Sequence, residues 1–296
     1  MIQTCRRLTI GRTFAAIAAM GTHGPKHSSR RVEKAYPEGF QMLLHCDLSA
    51  ATGYTSKLQI ARILSEKWFL ENAYCLGCES DRLFQTPANT RASDFTCRAC
   101  GESYELKASL AKPKGRVVDG AYSALISRIA SGCVPNLMLL ERSESWQIRG
   151  LIAIHHLFLT PEIIEQRKPL SATARRAGWI GCVIRVDMVA EDAQIAVIRD
   201  GAPAVPEKAR EAFQRFRSLA KISPDRRGWA TLTLAAIRKL SRPEFTLGDL
   251  YSMERSFAEV FPNNRNIRPK IRQQLQVLRD LGYLDFLGAG HYRLSI

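Results

Sequence analysis

The stretch YCLGCESDRLFQTPANTRASDFTCRACGESYELKA, residues 74–108, decides how the chain around it folds. It contains two Cys-x-x-Cys pairs, Cys75 with Cys78 and Cys97 with Cys100, and eighteen residues separate the two pairs. Two such pairs at this distance are typical of a site in which four thiolates bind one zinc ion tetrahedrally. The sequence therefore predicts a structural zinc site with these four cysteines as its ligands.

Charged residues flank the second cysteine pair. Asp94 precedes the pair, and Glu105 and Lys107 follow it. Side chains two positions apart in a strand point to the same face, so we expect Glu105 and Lys107 to be neighbours and Tyr104 to point the other way. If the segment folds back as a hairpin, Asp94 returns beside Glu105. The sequence thus predicts two carboxylates and one ammonium in one place.

The net charge of the 296 residues is +15, and it is spread unevenly. Residues 201–296 contain seventeen Lys and Arg against nine Asp and Glu, whereas residues 42–200 contain nineteen against seventeen. A basic final third indicates DNA or another anionic partner, and the alternative is a charge that serves only solubility. Because the chain has no run of about twenty apolar residues, we expect no membrane helix and no membrane partner.

The other four cysteines are scattered along the chain. They are Cys5, Cys46, Cys133 and Cys182. This usage is typical of a reducing compartment and not of a disulfide-bonded secreted protein, so we expect a cytoplasmic location.

Residues 1–41 are basic and contain no acidic residue before Glu33. Their composition weakly resembles a leader peptide. Because the reduced cysteines argue against export, we interpret this segment as a disordered extension or as an over-long start assignment. In the second case Met42 is the candidate first residue.

Helical patterns appear on both sides of the cysteine stretch. Apolar residues at helical spacing predict a helix over residues 57–73, with Thr55 or Ser56 as its N-cap. Asp119 is expected to cap a second helix that runs to about Ala130.

Mostly apolar runs predict strands that complete one mixed sheet. They cover residues 136–141, 147–154, 180–186 and 194–198. Gly201 and the prolines that follow it, and then Ser223-Pro224-Asp225, indicate a boundary near residue 222. We therefore expect an α/β domain with a mixed sheet and a zinc-binding hairpin over residues 42–222.

The pattern changes to short helices after this boundary. Helices are predicted at residues 229–240, 247–260 and 267–281, and two strands at 283–287 and 291–295 are joined by Gly288-Ala289-Gly290. Three helices followed by a hairpin describe a winged helix-turn-helix over residues 223–296.

The third of these helices has the composition of a DNA-reading helix. Its predicted buried stripe consists of Ile267, Ile271, Leu275 and Leu278. Asn and Arg can pair bidentately with adenine and guanine edges, so the candidate DNA-binding residues are Asn264, Arg265, Arg268 and Arg272. The alternative is an ordinary solvated helix face.

A second basic segment lies within residues 160–179. Arg175 and Arg176 precede Gly178 and Trp179, a combination suited to phosphate contacts and to stacking or wedging at bases. An ordinary loop whose tryptophan packs in the core is an equal alternative.

The charged residues near the cysteines suit phosphodiester hydrolysis. Asp94 and Glu105 could bind one or two Mg²⁺ ions, with the Leu106 carbonyl as a further ligand, and Lys107 could orient the attacking water. The pattern is weak alone. It gains strength because it surrounds a zinc site in a chain that also contains a predicted DNA reader.

From Met42 to nearly its last residue, the chain resembles the DpnI-like family of methylation-dependent restriction endonucleases. The resemblance rests on the segments AYCLGCES, ASDFTCRACGESYELK, DGAYS, QRKPLSATARRAGWIGC, RGW, EFTL and KIRQQLQVLRD. It implies a nuclease domain of the PD-(D/E)xK type with a built-in zinc site, followed by a winged helix that also reads DNA. Ser93 stands where the name of this fold places a proline.

The resemblance also implies roles for individual residues. Asp94, Glu105 and Lys107 would be the catalytic set, the four paired cysteines the zinc set, and Trp179 with its arginine neighbours the reader of a methylated base step. The implied substrate is double-stranded DNA with GATC that carries N6-methyladenine, cleaved with Mg²⁺ in a bacterial cytoplasm.

The main alternative is a regulator that binds DNA through the winged helix without cutting it. The Asp94, Glu105 and Lys107 set argues against it, because such a regulator has no use for these residues. We expect a monomer, although a transient dimer could cut both strands at once.

Overall fold

A seven-stranded sheet organises the first two thirds of the protein in the computed structural model, which describes residues 42–87, 93–111 and 115–295. The predictions made for residues 1–41 lie outside the described residues.

The elements up to residue 214 are mainly strands. They are α1 (Lys57–Asn72), β1 (Phe84–Gln85), β2 (Phe95–Thr96), β3 (Ser103–Ser109), β4 (Arg116–Ala121), α2 (Tyr122–Ala130), β5 (Asn136–Arg142), β6 (Ile148–Ile154), β7 (Ile164–Gln166), β8 (Gly181–Arg185), β9 (Gln194–Arg199), β10 (Ala202–Pro203) and α3 (Pro206–Gln214). The remaining elements are mainly helical. They are α4 (Pro224–Lys239), β11 (Glu244–Thr246), α5 (Leu247–Tyr251), α6 (Glu254–Val260), α7 (Ile267–Asp280), β12 (Leu284–Gly288) and β13 (His291–Leu294).

The large sheet has the strand order β1-β2-β3-β5-β6-β9-β10. Strands β3 and β5 are parallel, and their neighbours in this sheet pair antiparallel. Leu137, Met138, Leu139 and Leu140 of β5 are all buried, as a central strand covered on both faces requires. The predicted mixed sheet is confirmed by this arrangement.

One predicted strand lies elsewhere. Strand β8, expected in the mixed sheet, instead forms a separate antiparallel sheet of order β4-β8-β7. The error has a simple reason, since an apolar run shows that a strand is buried but not which backbone it pairs with.

The prediction that Asp119 caps a helix is also wrong. Helix α2 begins at Tyr122, and Ala121 is its N-cap. Asp119 lies within β4, opposite Cys182 of β8. Its side chain contacts Lys107 instead of a helical N–H.

The final part has the expected winged-helix elements with shifted boundaries. Helix α4 begins at Pro224 instead of 229, because proline fits the first helical position, where its missing N–H costs nothing. The predicted helix over 247–260 is two helices, α5 and α6, and Thr246 caps the first one with Asp249 in a reciprocal capping box. Strand β11 joins the β12–β13 hairpin as a third strand.

Helix α7 buries the predicted stripe. Ile267, Ile271, Leu275 and Leu278 are all buried, which confirms that prediction. Most polar residues of α7 are therefore left on its outer faces, with Gln274 as a buried exception.

The sheet region and the helical region share one apolar core. The centre of the Phe216 ring lies 4.9 Å from the centre of the Phe158 ring and 6.2 Å from that of the Tyr283 ring. Arg238 of α4 also pairs with Asp192, which precedes β9. Among the described residues, no helix is both long and apolar enough to cross a membrane.

Candidate active site and zinc centre

Strand β3 sends alternate side chains to two different sites. Tyr104 contacts the cysteine cluster, where its hydroxyl lies 3.3 Å from Cys75 Sγ. Its neighbours Glu105 and Lys107 point to the opposite face and contact each other. The alternation of a strand therefore places one residue of β3 at the cysteines and the next two charged residues at a separate charged cluster.

The four paired cysteines converge on one point. The sulfur atoms of Cys75, Cys78, Cys97 and Cys100 all lie within 4.8 Å of one another. Two of the separations are 3.5 Å, from Cys75 to Cys100, and 3.6 Å, from Cys78 to Cys97. A tetrahedral zinc ion with bonds of about 2.3 Å holds its sulfurs about 3.8 Å apart, so these four residues fit zinc.

Hydrogen bonds around Cys75 favour its thiolate. The Gly77 N–H donates to Cys75 Sγ at 3.3 Å, and the Tyr104 hydroxyl accepts from the Leu76 N–H at 3.0 Å. The contact with Cys100, followed by those with Tyr104 and Gly77, lowers the pKa of Cys75 to about 5 against the effect of burial, and the same contact raises the pKa of Cys100. Because the thiolate is the form that binds metal, this environment agrees with a zinc ligand.

Two arginines from the segment after the large sheet cover the turn between Cys75 and Cys78. Arg210 of α3 donates from Nε to the Cys75 carbonyl at 3.0 Å, and Arg217 donates to the Gly77 carbonyl. Arg210 is only 8% exposed and also pairs with Asp81 at 3.0 Å. Neither contact could be predicted from the sequence, since more than 130 positions separate each arginine from its partner carbonyl.

Lys107 lies between two carboxylates in the charged cluster. Its Nζ atom is 2.7 Å from Glu105 Oε1 and 2.6 Å from Asp119 Oδ1. Arg128 of α2 approaches the other oxygen of Glu105 at 3.5 Å. This charged cluster consists of Glu105, Lys107, Asp119 and Arg128.

Asp94 lies against the backbone of the same strand. Its N–H donates to the Tyr104 carbonyl at 3.0 Å, and its Oδ2 atom accepts from the Leu106 N–H at 2.9 Å. Strands β2 and β3 pair with Phe95 opposite Tyr104, so the hairpin predicted from the sequence is present. It brings the Asp94 carboxylate to the residue between Glu105 and Lys107.

Burial and charge act in opposite directions in the charged cluster. Burial raises the pKa of Glu105 above its usual range, although Lys107 opposes the shift. Burial would also raise the pKa of Asp119, but the charge and hydrogen bond of Lys107 lower it below the usual range. The two carboxylates outweigh burial at Lys107 and raise its pKa, so this side chain is an ammonium. A divalent cation beside Glu105 would favour its ionised form.

Asp119 is the cluster residue that the sequence analysis assigned to another role. The available signal was an acid in a run of β-branched residues, Val117-Val118-Asp119, which is typical of a strand with one charged position. The helix that follows two residues later made a capping role the more obvious interpretation.

The loop with Trp179 connects β7 to β8 and is closed by backbone hydrogen bonds. The Leu170 N–H donates to the Trp179 carbonyl at 2.9 Å, and the Gly178 N–H donates to the Leu170 carbonyl at 3.1 Å. The indole is half-buried against Gly181, where an added β carbon would lie 2.8 Å from the ring. The Arg176 guanidinium lies 5.0 Å from the ring centre. The tryptophan is thus outside the core.

This loop ends beside the charged cluster, where β8 begins. Gly181 pairs with Ala121 and Cys182 pairs with Asp119 across β4 and β8. The Tyr122 N–H also donates to the Ile180 carbonyl at 3.1 Å. Trp179 is therefore attached by a short stretch of paired backbone to the strand that contributes Asp119.

The four predicted DNA-binding residues of the winged helix differ in their contacts. Arg265 and Arg272 are exposed. Arg268 is paired with Glu254 at 2.7 Å and lies 5.2 Å from the centre of the Tyr251 ring. Asn264 Oδ1 accepts from the Asn266 N–H at 2.8 Å, which shapes the turn into α7.

A cavity of about 470 Å³ lies beside β3, between α1 and β4. Its wall includes Arg62, Lys107 and Arg116. Arg62 and Arg116 are paired with Glu66 at 2.7 Å and with Glu165 at 2.6 Å.

Comparison with known protein families gives two adjoining matches. The model of the Dam-replacing family, which carries the name DpnI, matches residues 42–222, and the model of the Dam-replacing HTH domain matches residues 225–294. The chain belongs to the Dam-replacing family. This membership confirms the resemblance given by the sequence segments.

The first match indicates a restriction endonuclease, and the second indicates a helix-turn-helix domain that binds DNA. The hairpin with the cysteines lies within the first matched region, and helix α7 lies within the second.

Proposed function

We propose that this protein is a Mg²⁺-dependent type II endonuclease that cleaves double-stranded DNA at GATC containing N6-methyladenine. The observation that carries the proposal is the position of three side chains on one hairpin. Asp94 contacts the Leu106 N–H at 2.9 Å, and Glu105 and Lys107, on either side of Leu106, contact each other at 2.7 Å. Two carboxylates beside a lysine supply the groups that metal-assisted phosphodiester hydrolysis needs.

Asp94 and Glu105 would hold the magnesium ion, with the Leu106 carbonyl as a further ligand. When bound there, Mg²⁺ lowers the pKa of a water molecule and stabilises negative charge on the phosphate. Lys107 would bind the attacking water and keep it in line with the phosphorus atom. The zinc site would hold the two arms of the hairpin, and hence Asp94 and Glu105, at a fixed separation.

The walls of the cavity beside β3 support an approach of the DNA backbone to Lys107. Arg62 and Arg116 border it on α1 and β4. Both arginines have carboxylate partners in the free protein, and both could exchange them for phosphate oxygens at small cost because surface ion pairs are weak.

Trp179 would recognise the methyl group. An N6-methyl group adds apolar surface in the major groove, and its burial against an indole is worth roughly 1–2 kcal/mol. Arg175 and Arg176, both exposed, would contact phosphates beside this ring. In the winged helix, Arg265 and Arg272 are free to reach DNA edges, whereas Asn264 and Arg268 would first exchange the contacts they make in the free protein.

Digestion of plasmid DNA tests the proposal. Plasmid from a host that methylates adenine in GATC is expected to be cut in the presence of Mg²⁺, and the same plasmid from a host without this methylation is expected to stay intact. Cleavage of both plasmids would retain the nuclease and reject the methyl dependence. Failure to cut either plasmid, with DNA binding retained, would reject the nuclease.

A regulator that only binds DNA is the second candidate. One observation favours it, namely that Lys107 contacts both Glu105 and Asp119, as in a structural ion-pair network. We also propose that the protein acts as a monomer, which sedimentation of the complex with a single-site duplex would test.

A further inference from the structure

We propose that Asp119 is the positioning residue that holds the Lys107 ammonium in place for cleavage. The inference rests on the proposed function, because it assigns Lys107 to the attacking water. It adds a residue from a second sheet to a site that is otherwise built on one hairpin.

The contact has the geometry of a rigid anchor. Lys107 Nζ lies 2.6 Å from Asp119 Oδ1, and the Asp119 side chain is 4% exposed. The backbone of Asp119 is held in β4 by pairing with Cys182 of β8. Lysine has four rotatable side-chain bonds, so a fixed acceptor is needed to keep its ammonium at one point.

The neighbouring carboxylate cannot provide this anchor during catalysis. Glu105 shares the Lys107 ammonium in the free protein, at 2.7 Å, but under the proposed function it is also a ligand of Mg²⁺. Asp119 lies on a separate strand and remains available as the hydrogen-bond partner of Lys107. Arg128 approaches the other oxygen of Glu105, Oε2, at 3.5 Å.

The test compares Asp119→Asn with wild-type protein and with a matched control. Asp47→Asn is the control, because Asp47 also pairs with a lysine, Lys67, at 2.7 Å, but in an exposed position. Four quantities are measured: the single-turnover cleavage rate with Mg²⁺, the Kd for methylated duplex with Ca²⁺ in place of Mg²⁺, the Kd for Mn²⁺ without DNA, and the Tm.

The expected result is a change in rate alone. Asp119→Asn is expected to slow cleavage about 10- to 100-fold, the usual effect of removing a group that orients a catalytic one. Its Kd for DNA and for Mn²⁺ should stay at the wild-type values, and Asp47→Asn should match wild type throughout. In a Lys107→Gln background, Asp119→Asn should slow cleavage little further, because both changes remove the same ammonium position.

Several outcomes would overturn the inference. A wild-type rate in Asp119→Asn would show that the contact is only structural, and so would a loss of rate that follows losses of DNA binding and Tm. A larger Kd for Mn²⁺ in Asp119→Asn would indicate that Asp119 is a metal ligand and not a positioning residue. If Asp119→Asn does not fold, the smaller Asp119→Ser replaces it with the same expectations.

The wild-type arm separates this inference from the proposed function. If wild-type protein cuts no DNA, the proposed function fails. If wild-type protein cuts and Asp119→Asn cuts equally fast, only the positioning role fails.

Discussion

The two faces of β3 show how differently two sites can be assembled from adjacent residues. Tyr104 contributes to a cluster whose four sulfur atoms come from residues 75–100. Glu105 and Lys107 contribute to a cluster completed by Asp119 of β4 and Arg128 of α2. The first site is local in sequence and its four cysteines could hold a zinc ion, whereas the second depends on how two sheets pack.

This difference predicts which face tolerates change. Groups that bind a structural metal contribute directly to folding, because the unfolded chain has no preformed site. Groups in an active site can be exchanged with little loss of stability, because their arrangement serves the reaction. Substitutions on the cysteine side should therefore affect folding and activity together, and those on the charged side should affect activity alone.

The largest effect is expected on the cysteine side. Cys97→Ser should lose the zinc ion and lower the free energy of unfolding by about 4 kcal/mol or more, as removal of a structural metal does. Zinc content by mass spectrometry and the Tm measure the change. Cys133→Ser, outside the cluster, is the control and should behave as wild type. A stable, active Cys97→Ser protein would refute the structural role of zinc.

The charged side should give a large effect on rate without an effect on folding. Asp94→Asn keeps an acceptor for the Leu106 N–H but removes the negative charge, so cleavage should fall on the order of 1000-fold or more. Zinc content, Tm and DNA affinity should be unchanged. Cleavage by this variant at a rate near wild type would show that the hairpin is not the active site.

An intermediate effect is expected where α3 covers the turn between Cys75 and Cys78. Arg210→Met keeps the apolar stem but removes donors to Cys75, Ser80 and Asp81. Because a buried carbonyl then loses its partner, the free energy of unfolding should fall by about 1–3 kcal/mol, and a chelator should remove zinc faster. Lys208→Met, at an exposed position of the same helix, is the control. Equal zinc release from the two variants would contradict the bracing role.

The smallest effect concerns methyl recognition next to the charged side. Trp179→Ala should reduce the ratio of cleavage rates on methylated and unmethylated GATC by about tenfold, the equivalent of 1–2 kcal/mol of lost burial. Leu170→Ala, an exposed apolar change in the same loop, is the control. An unchanged ratio in Trp179→Ala would remove the indole from methyl recognition.

Regular spacing was a reliable guide where the partners are close in sequence. The cysteine pairs predicted a cluster whose sulfurs do converge, and the alternation in β3 predicted the contact between Glu105 and Lys107. The stripe of α7 was found from its period, because a helix of this length must bury one face. These features depend on local geometry.

Features that depend on sheet packing were misplaced or missed. Strand β8 was assigned to the wrong sheet, and Asp119 to the wrong element. Arg210 and Arg217 contact the turn between Cys75 and Cys78 although they are distant from it in sequence. No pattern in the neighbourhood of these residues specifies their partners, because strand pairing and the docking of α3 are decided by the whole core.

By itself, the sequence determined the cluster of four cysteines, the hairpin that carries Asp94, Glu105 and Lys107, and the winged helix, because each follows from spacing within one short segment. Only the tertiary structure decided that Asp119, from a second sheet, contacts Lys107. It also decided that the loop with Trp179 ends beside Asp119. The physical reason is that side-chain periodicity is a local property, whereas the pairing of β4 with β8, and the place where that sheet meets β3, are set by the packing of the whole domain.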